Sequence, residues 1–366
     1  MERALEPTHL EHRGYAVTTM KAAVLRDWND LGVEQIPVPE PAAGEVLLRV
    51  RACGLCGTDL KMVKGHFAAR GWPPSLPFVM GHEWSGEVAE IGPGLEDLDL
   101  EVGDKVVAEN HIGCGRCPMC RSGRYNLCER AGTPGYRLYG HTAPGALAEY
   151  AVRPAPMLHR LPEDVTPREG ALVNQGSLTV HALRRVQFLP GSSAAIFGPG
   201  LLGLLTAAVA RASGASRLIM VGRGSRLELA AKMGCDAVVD YEKEAPVESI
   251  RRLTEGRGVD YVFDCSGNPE VTSQAVGCVR RGGKIAVLGL TGGKLAQVDV
   301  DRLTLDEVDL LGIRSSPNAY PAMIDLMRAG SVDLKPLVTH VYPIDEVDKA
   351  FEALENRTAI RPIVEL

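Results

Sequence analysis

Between residues 194 and 210 the chain reads Ala194-Ala195-Ile196-Phe197, then Gly198-Pro199-Gly200-Leu201-Leu202-Gly203, then an alanine-rich helical stretch. A strand that turns directly into a helix across G-x-G-x-x-G needs each glycine for a different reason. The first permits the tight turn, the second lets the backbone approach a pyrophosphate, and the third lets the helix pack close on the strand. The first N–H groups of the helix are then available to a phosphate. Such turns also occur for packing alone, so the surroundings decide. Here helical patterns at Leu201–Ser213 and Arg226–Met233 alternate with apolar strands at Arg217–Val221, Tyr261–Asp264 and Lys284–Leu288. That alternation predicts βαβ units on a parallel sheet, a doubly wound dinucleotide-binding domain over residues 176–316 of an α/β chain. Gly198, Gly200, Leu201, Leu202 and Gly203 are its expected cofactor-binding residues.

The end of the following strand should choose the cofactor. An acid there binds the adenosine ribose of NAD, and a basic group accepts the 2′-phosphate of NADP. Leu218–Val221 runs into Gly222-Arg223-Gly224-Ser225-Arg226, with no Asp or Glu. NADP is therefore expected to be preferred, with NAD possible: Arg223 and Arg226 would pair with the phosphate and Gly222 would leave room for it. In the alternative reading Arg226 is an ordinary solvated residue at a helix start.

Four of the nine cysteines form Cys114-x2-Cys117-x2-Cys120-x7-Cys128, with Gly115, Pro118 and Gly123 between them to let the backbone wrap. Four thiolates in one lobe match a closed tetrahedral zinc site, structural because no position stays open. A four-cysteine iron–sulfur cluster is the rival, although nothing nearby suggests a second redox centre. Two further segments offer ligands, Gly54-Leu55-Cys56-Gly57-Thr58-Asp59 and Gly81-His82-Glu83. Alone, a cysteine or a histidine is more often a core residue. Beside the dinucleotide turn and the cysteine lobe, Cys56 and His82 become candidates for a catalytic metal with an open position.

Charge narrows the partners. Lys+Arg 40 against Asp+Glu 46 leave a net −6, whereas nucleic acid and anionic membranes reward a basic surface. The longest apolar runs are too short to span a bilayer. Residues 1–19 are polar, lack the apolar core of a secretory signal and read as an N-terminal extension, which makes the cytoplasm the default location. From Met20 to about Tyr150 short β-like runs are broken by Gly and Pro, as in Glu45–Val50 and Gly103–Ala108. A β-rich domain over 20–175, completed by 317–366 and ending in a strand at Pro362–Leu366, is expected.

Together, Cys56-Gly57-Thr58-Asp59, Gly81-His82-Glu83, the Cys114–Cys128 lobe and Gly198–Gly203 resemble the zinc-containing medium-chain dehydrogenase/reductase family, in its alcohol, polyol and threonine dehydrogenase branch. The segment Glu109–Cys114 is similar to the lead-in of threonine and polyol dehydrogenases. The resemblance covers Met20 to the C-terminus. It implies a GroES-like catalytic domain, a Rossmann domain, homodimers or homotetramers, and a small-molecule substrate. The reaction implied is the NAD(P)-linked interconversion of a secondary alcohol (polyol, sugar or amino-alcohol type) and its ketone. Carried over, Cys56 and His82 match zinc ligands, Glu83 the carboxylate beside or on the metal, and Thr58 the hydroxyl that takes the substrate proton. Where the polyol branch carries a Glu-Pro upstream of a histidine, this chain reads Val173-Asn174-Gln175 before His181, so a neutral amide, Asn174, stands in the acid's place. Lys61 stands where many relatives carry a relay histidine. It could complete the relay only with a lowered pKa, and otherwise is a solvated lysine or binds an anionic substrate. One structural and one catalytic zinc are expected. Two rivals remain: a zinc-ribbon-like module gripping nucleic acid, disfavoured by charge, and a zinc-poor reductase or non-catalytic member of the same fold, motivated by Asn174.

Overall fold

The structure, a computed structural model, describes residues 18–133 and 136–366. The expected N-terminal extension thus lies outside the described residues except for its last two. The chain divides into two units, one comprising residues up to Asn174 together with Leu334–Leu366, the other Gln175–Asp333. Sequence reading set the return to the first unit at 317, whereas it occurs at Leu334. The difference is the helix Tyr320–Arg328, which packs on the second unit. A Cβ placed on Gly176 would lie 2.7 Å from the Met323 sulfur, and an Arg184 guanidinium N–H donates to the Asn318 carbonyl at 2.7 Å.

In the first unit the strand Glu45–Gly54 is central. Glu83–Ile91 pairs antiparallel along one edge; the other edge is shared by Tyr150–Pro154 and, at the far end, by Pro362–Glu365. Val46, Leu48, Val50, Trp84, Val88 and Val106 are buried in one core, whose apolar surface is the main stabilising term. The C-terminal strand expected from sequence is present, with Ile363 opposite Gly54 and Val364 opposite Cys53. That register sets Arg361 beside Gly54.

The second unit is built on a six-stranded sheet in the order Ala237–Asp240, Arg217–Gly222, Ser193–Phe197, Val259–Asp264, Val279–Val287, Asp309–Gly312. Every adjacent pair is parallel. Strands in such sheets are covered on both faces, which explains why Ala194 to Phe197 form an unbroken buried run and do not alternate. Chain order reverses at Ser193–Phe197, and ligands of open α/β sheets bind beyond the strand ends at such a reversal. The glycine turn begins there. Among the described residues no helix is long and apolar enough to cross a membrane.

Candidate active site

The three glycines of the turn have distinct surroundings. Gly198 adopts φ +96°, which strains any other residue. At Gly200 a Cβ would meet nothing closer than Arg226 Nη1, 3.9 Å away, so the backbone is open to a ligand. At Gly203 a Cβ would lie 2.0 Å from the Gly198 carbonyl oxygen, so only glycine lets the helix Leu201–Ala212 seat against the turn. The N–H groups of Leu201, Leu202 and Gly203 fall in the first helical turn, where they have no intrahelical acceptor. One sequence expectation changes. The space at Gly222 is filled by Pro199, whose Cδ would be 2.3 Å from an added Cβ, so this glycine makes room for the turn and not for a phosphate. Arg223 pairs with Glu242 at 2.7 Å, both half-exposed.

The cysteine lobe closes as its spacing implied. The sulfurs of Cys114, Cys117, Cys120 and Cys128 all lie within 4.8 Å of one another. Cys117 and Cys128 Sγ are 4.0 Å apart, against about 3.8 Å for two thiolates on one tetrahedral zinc with ~2.3 Å bonds. Cys117 caps the short helix Pro118–Arg121, and backbone N–H groups of Cys120, Cys114 and Arg130 each donate to a cysteine sulfur at 3.4 Å. Backbone donation, first from Arg116, lowers the Cys114 thiol to about 6, which favours the ligating thiolate. Gly113 leaves the space that Cys120 Sγ occupies: a Cβ there would be 2.4 Å away.

A second cluster, buried, unites Cys56, Asp59 and His82, again with ligand atoms within 4.8 Å. Cys56 caps the helix Gly57–Val63 and its sulfur accepts the Thr58 N–H at 3.2 Å. Asp59 completes the capping box, accepting the Cys56 N–H at 2.8 Å. Its other oxygen lies 3.1 Å from His82 Nδ1, leaving Nε2 3.3 Å from Cys56 Sγ. A thiolate and an imidazole on one tetrahedral zinc would be about 3.5 Å apart, so the donor pair fits that ion. Burial disfavours the Asp59 anion, yet His82 holds its pKa below the usual carboxylate range.

The structure places the remaining candidates as follows. Glu83 is fully buried, with Oε1 3.5 Å from His82 Nε2 and Oε2 3.3 Å from Arg361 Nε. Asp59 is the carboxylate grouped with Cys56 and His82, a part sequence reading did not give it although it stands in the quoted motif, while Glu83 lies beside the same imidazole's Nε2. Thr58 and Lys61 share the Gly57–Val63 helix, one turn apart and partly exposed. Asn174 lies in the first turn of the helix Val173–Val186.

A β-rich unit bearing a thiol–imidazole metal cluster and a closed four-thiol lobe, in one chain with a dinucleotide unit, defines a class: metal-dependent dehydrogenases. The Alcohol dehydrogenase GroES-like domain model matches residues 42–163 and the Zinc-binding dehydrogenase model residues 202–329. Sorbitol dehydrogenase of Bacillus subtilis (strain 168) is 35% identical over 341 residues, 91% of this chain and 93% of that protein. L-threonine 3-dehydrogenase of Pyrococcus horikoshii is 36% identical over 342 residues, 91% and 94% of the two chains. Among solved structures, one from Sinorhizobium meliloti 1021, described as a zinc-binding dehydrogenase bound to NADP, superposes with a TM-score of 0.88 at 29% identity, covering 96% of this chain and 100% of that one. The chain belongs to the zinc-containing medium-chain dehydrogenase family. It is an NAD(P)-linked oxidoreductase of the alcohol dehydrogenase type, and the zinc-poor or non-catalytic reading is not favoured.

Proposed function

We propose that this dehydrogenase acts on a small secondary alcohol bearing a polar group on the neighbouring carbon, a polyol or amino alcohol, with NADP preferred and two zinc ions per chain. The observation that carries the reading is the buried Cys56–Asp59–His82 cluster, a donor set of the right kind and spacing for a metal with an open position. The relatives named for sorbitol and L-threonine support the substrate class, since both compounds carry a polar group beside a secondary alcohol.

Bound zinc would supply Lewis acidity at the alcohol oxygen. Cys56 Sγ and His82 Nε2 are the atoms that would hold it. Asp59 keeps the imidazole in the tautomer that presents Nε2. Thr58 Oγ1 would take the hydroxyl proton as it releases its own toward solvent, and Lys61, one turn on and partly exposed, would bind an anionic group of a substrate. Gly198–Gly203 would seat the dinucleotide pyrophosphate, and the bound cofactor would supply the hydride acceptor. Glu83, beside His82 Nε2, would border or join the metal position, and Asn174 would offer its amide oxygen to the metal or order a water.

NADP preference is supported by the missing acid after Val221 and by Arg226 at the turn. The exposed Arg223–Glu242 pair is worth only about 0–1 kcal/mol, so Arg223 can exchange Glu242 for a phosphate. The same reading takes two or more copies to assemble through the 290–310 segment.

Rates on sorbitol, L-threonine and 2,3-butanediol with each cofactor, together with zinc per chain, test this. kcat/KM should favour NADP. Zinc should fall by one per chain in Cys56→Ser, with turnover lost and NADPH binding retained. A wild type idle on every alcohol defeats the reading, as does a Cys56→Ser variant that keeps its activity and zinc.

A further inference from the structure

His141 is a buried imidazole that neither the metal pair nor the proton path employs. It follows Gly140 in a loop pressed onto the backbone that carries His82. A Cβ on Gly140 would lie 2.6 Å from the Gly81 carbonyl oxygen and 2.8 Å from His82 Cβ. In the same loop, Ala146 and Leu147 N–H groups bond the Gly81 and Met80 carbonyls at 2.9 Å. The loop backbone, not the ring's own bonds, therefore fixes where His141 sits. Its ring centroid is 4.4 Å from that of His82, and the edge of Trp72 closes the other side at 5.0 Å.

The residue is only 5% exposed, yet Nδ1 has no hydrogen-bond partner in the protein. Buried polar atoms are normally satisfied, and one that is not asks for a functional explanation. Asp59 is not that partner: its oxygens bond the Cys56 N–H and His82 Nδ1. Nor is His141 placed as a metal ligand: the group of mutually close ligand atoms contains Cys56, Asp59 and His82 without it. An imidazole brings two ring nitrogens to this wall, each able to take part in a hydrogen bond. A ring that only filled the wall would need neither.

We propose that His141 is a specificity-determining residue: its imidazole hydrogen-bonds the hydroxyl on the carbon next to the reacting carbinol, selecting vicinal diols and polyols over simple alcohols. The inference rests on the dehydrogenase reading above. In a vicinal diol the two oxygens lie about one hydrogen-bond length apart. With the first oxygen at the Cys56–His82 position, a second oxygen that distance away would face the ring tilted against His82. A site built to bond a hydroxyl discriminates strongly against an analogue lacking it, because its polar group is then left unpaired.

His141→Phe keeps a ring against Trp72 and removes the nitrogens. Expected are a fall of about tenfold or more in kcat/KM for 2,3-butanediol, mostly in KM, and a change within about twofold for 2-butanol. Zinc per chain should be unchanged, and diol affinity by calorimetry on the zinc-loaded, cofactor-bound enzyme should fall with KM. His141→Gln, which restores a donor and acceptor, should recover part of the diol preference and covers the case in which the phenylalanine variant does not fold. Equal losses on both alcohols, or a zinc loss in either variant, would overturn the assignment. A wild type active on neither alcohol removes the dehydrogenase reading itself, and with it this one.

Discussion

Asp59 gives one carboxylate oxygen to the Cys56 N–H and the other to His82 Nδ1, so one side chain sets both candidate ligands. Asp59→Asn should weaken zinc at the Cys56–His82 position about 10–100-fold, the usual effect of losing a carboxylate behind a ligating histidine. Chelator competition measures it, and far-UV circular dichroism should be unchanged. Unaltered zinc retention would separate Asp59 from the metal. Cys56 and His82 were legible because glycine-flanked Cys and Gly-His-Glu segments are unusual beside a dinucleotide turn. Asp59 was quoted but given no part, because its partner His82 arrives from a distant segment, just before the strand Glu83–Ile91. His141 offered no signal at all: a lone histidine in a loop is ordinarily core or surface, and its meaning comes from glycine contacts visible only in three dimensions.

Elements were more readable than their arrangement. The strand–turn–helix at Ser193–Ala212 was fully legible, since each glycine has a local steric cause. Gly203→Ala should cost about 1–3 kcal/mol, as overpacking does, because the new methyl would meet the Gly198 carbonyl; denaturant unfolding would show it, with NADPH affinity falling in parallel. Strand order was not legible, because periodicity says nothing of neighbours, and no pattern revealed the clamp at the strand starts. There Asp260 accepts from Ser193 N and Oγ at 2.8 and 2.6 Å and from Arg280 Nε at 2.6 Å. Burial opposes its ionisation, but these bonds bring its pKa down to about 2, below the unfolded value of about 3.9. The pKa is depressed, so this stabilisation is complete above about pH 4 and disappears as pH falls through 2. Asp260→Asn should therefore be less stable than wild type at neutral pH, by on the order of 1–3 kcal/mol. The gap should close between pH 4 and 2, and a gap independent of pH would remove the ionised clamp.

For the whole molecule, five of the ten exposed large apolar side chains among the described residues lie in one stretch, 290–310. Leu295 is 92% exposed and Leu305 81%, with Leu290, Val300 and Leu310 also open, beside the unpaired edge strand Asp309–Gly312. Such a patch next to a free edge favours association. Sedimentation velocity should report a dimer or larger, and Leu295→Asp with Leu305→Asp should shift it toward monomer while zinc per chain holds. A monomeric wild type would refute the assembly. The pairing of Pro362–Glu365 with Glu45–Gly54 has a further consequence, for synthesis. Domains fold as units while the chain emerges, and the second unit is complete once Asp333 is out. The first must wait, its sheet open beside Cys53 and Arg361 not yet made. The unit that carries Cys56 and His82 is built from segments on both sides of the other, so a chain truncated after residue 340 would hold all of the nucleotide unit and lack the Pro362–Glu365 strand of the catalytic one.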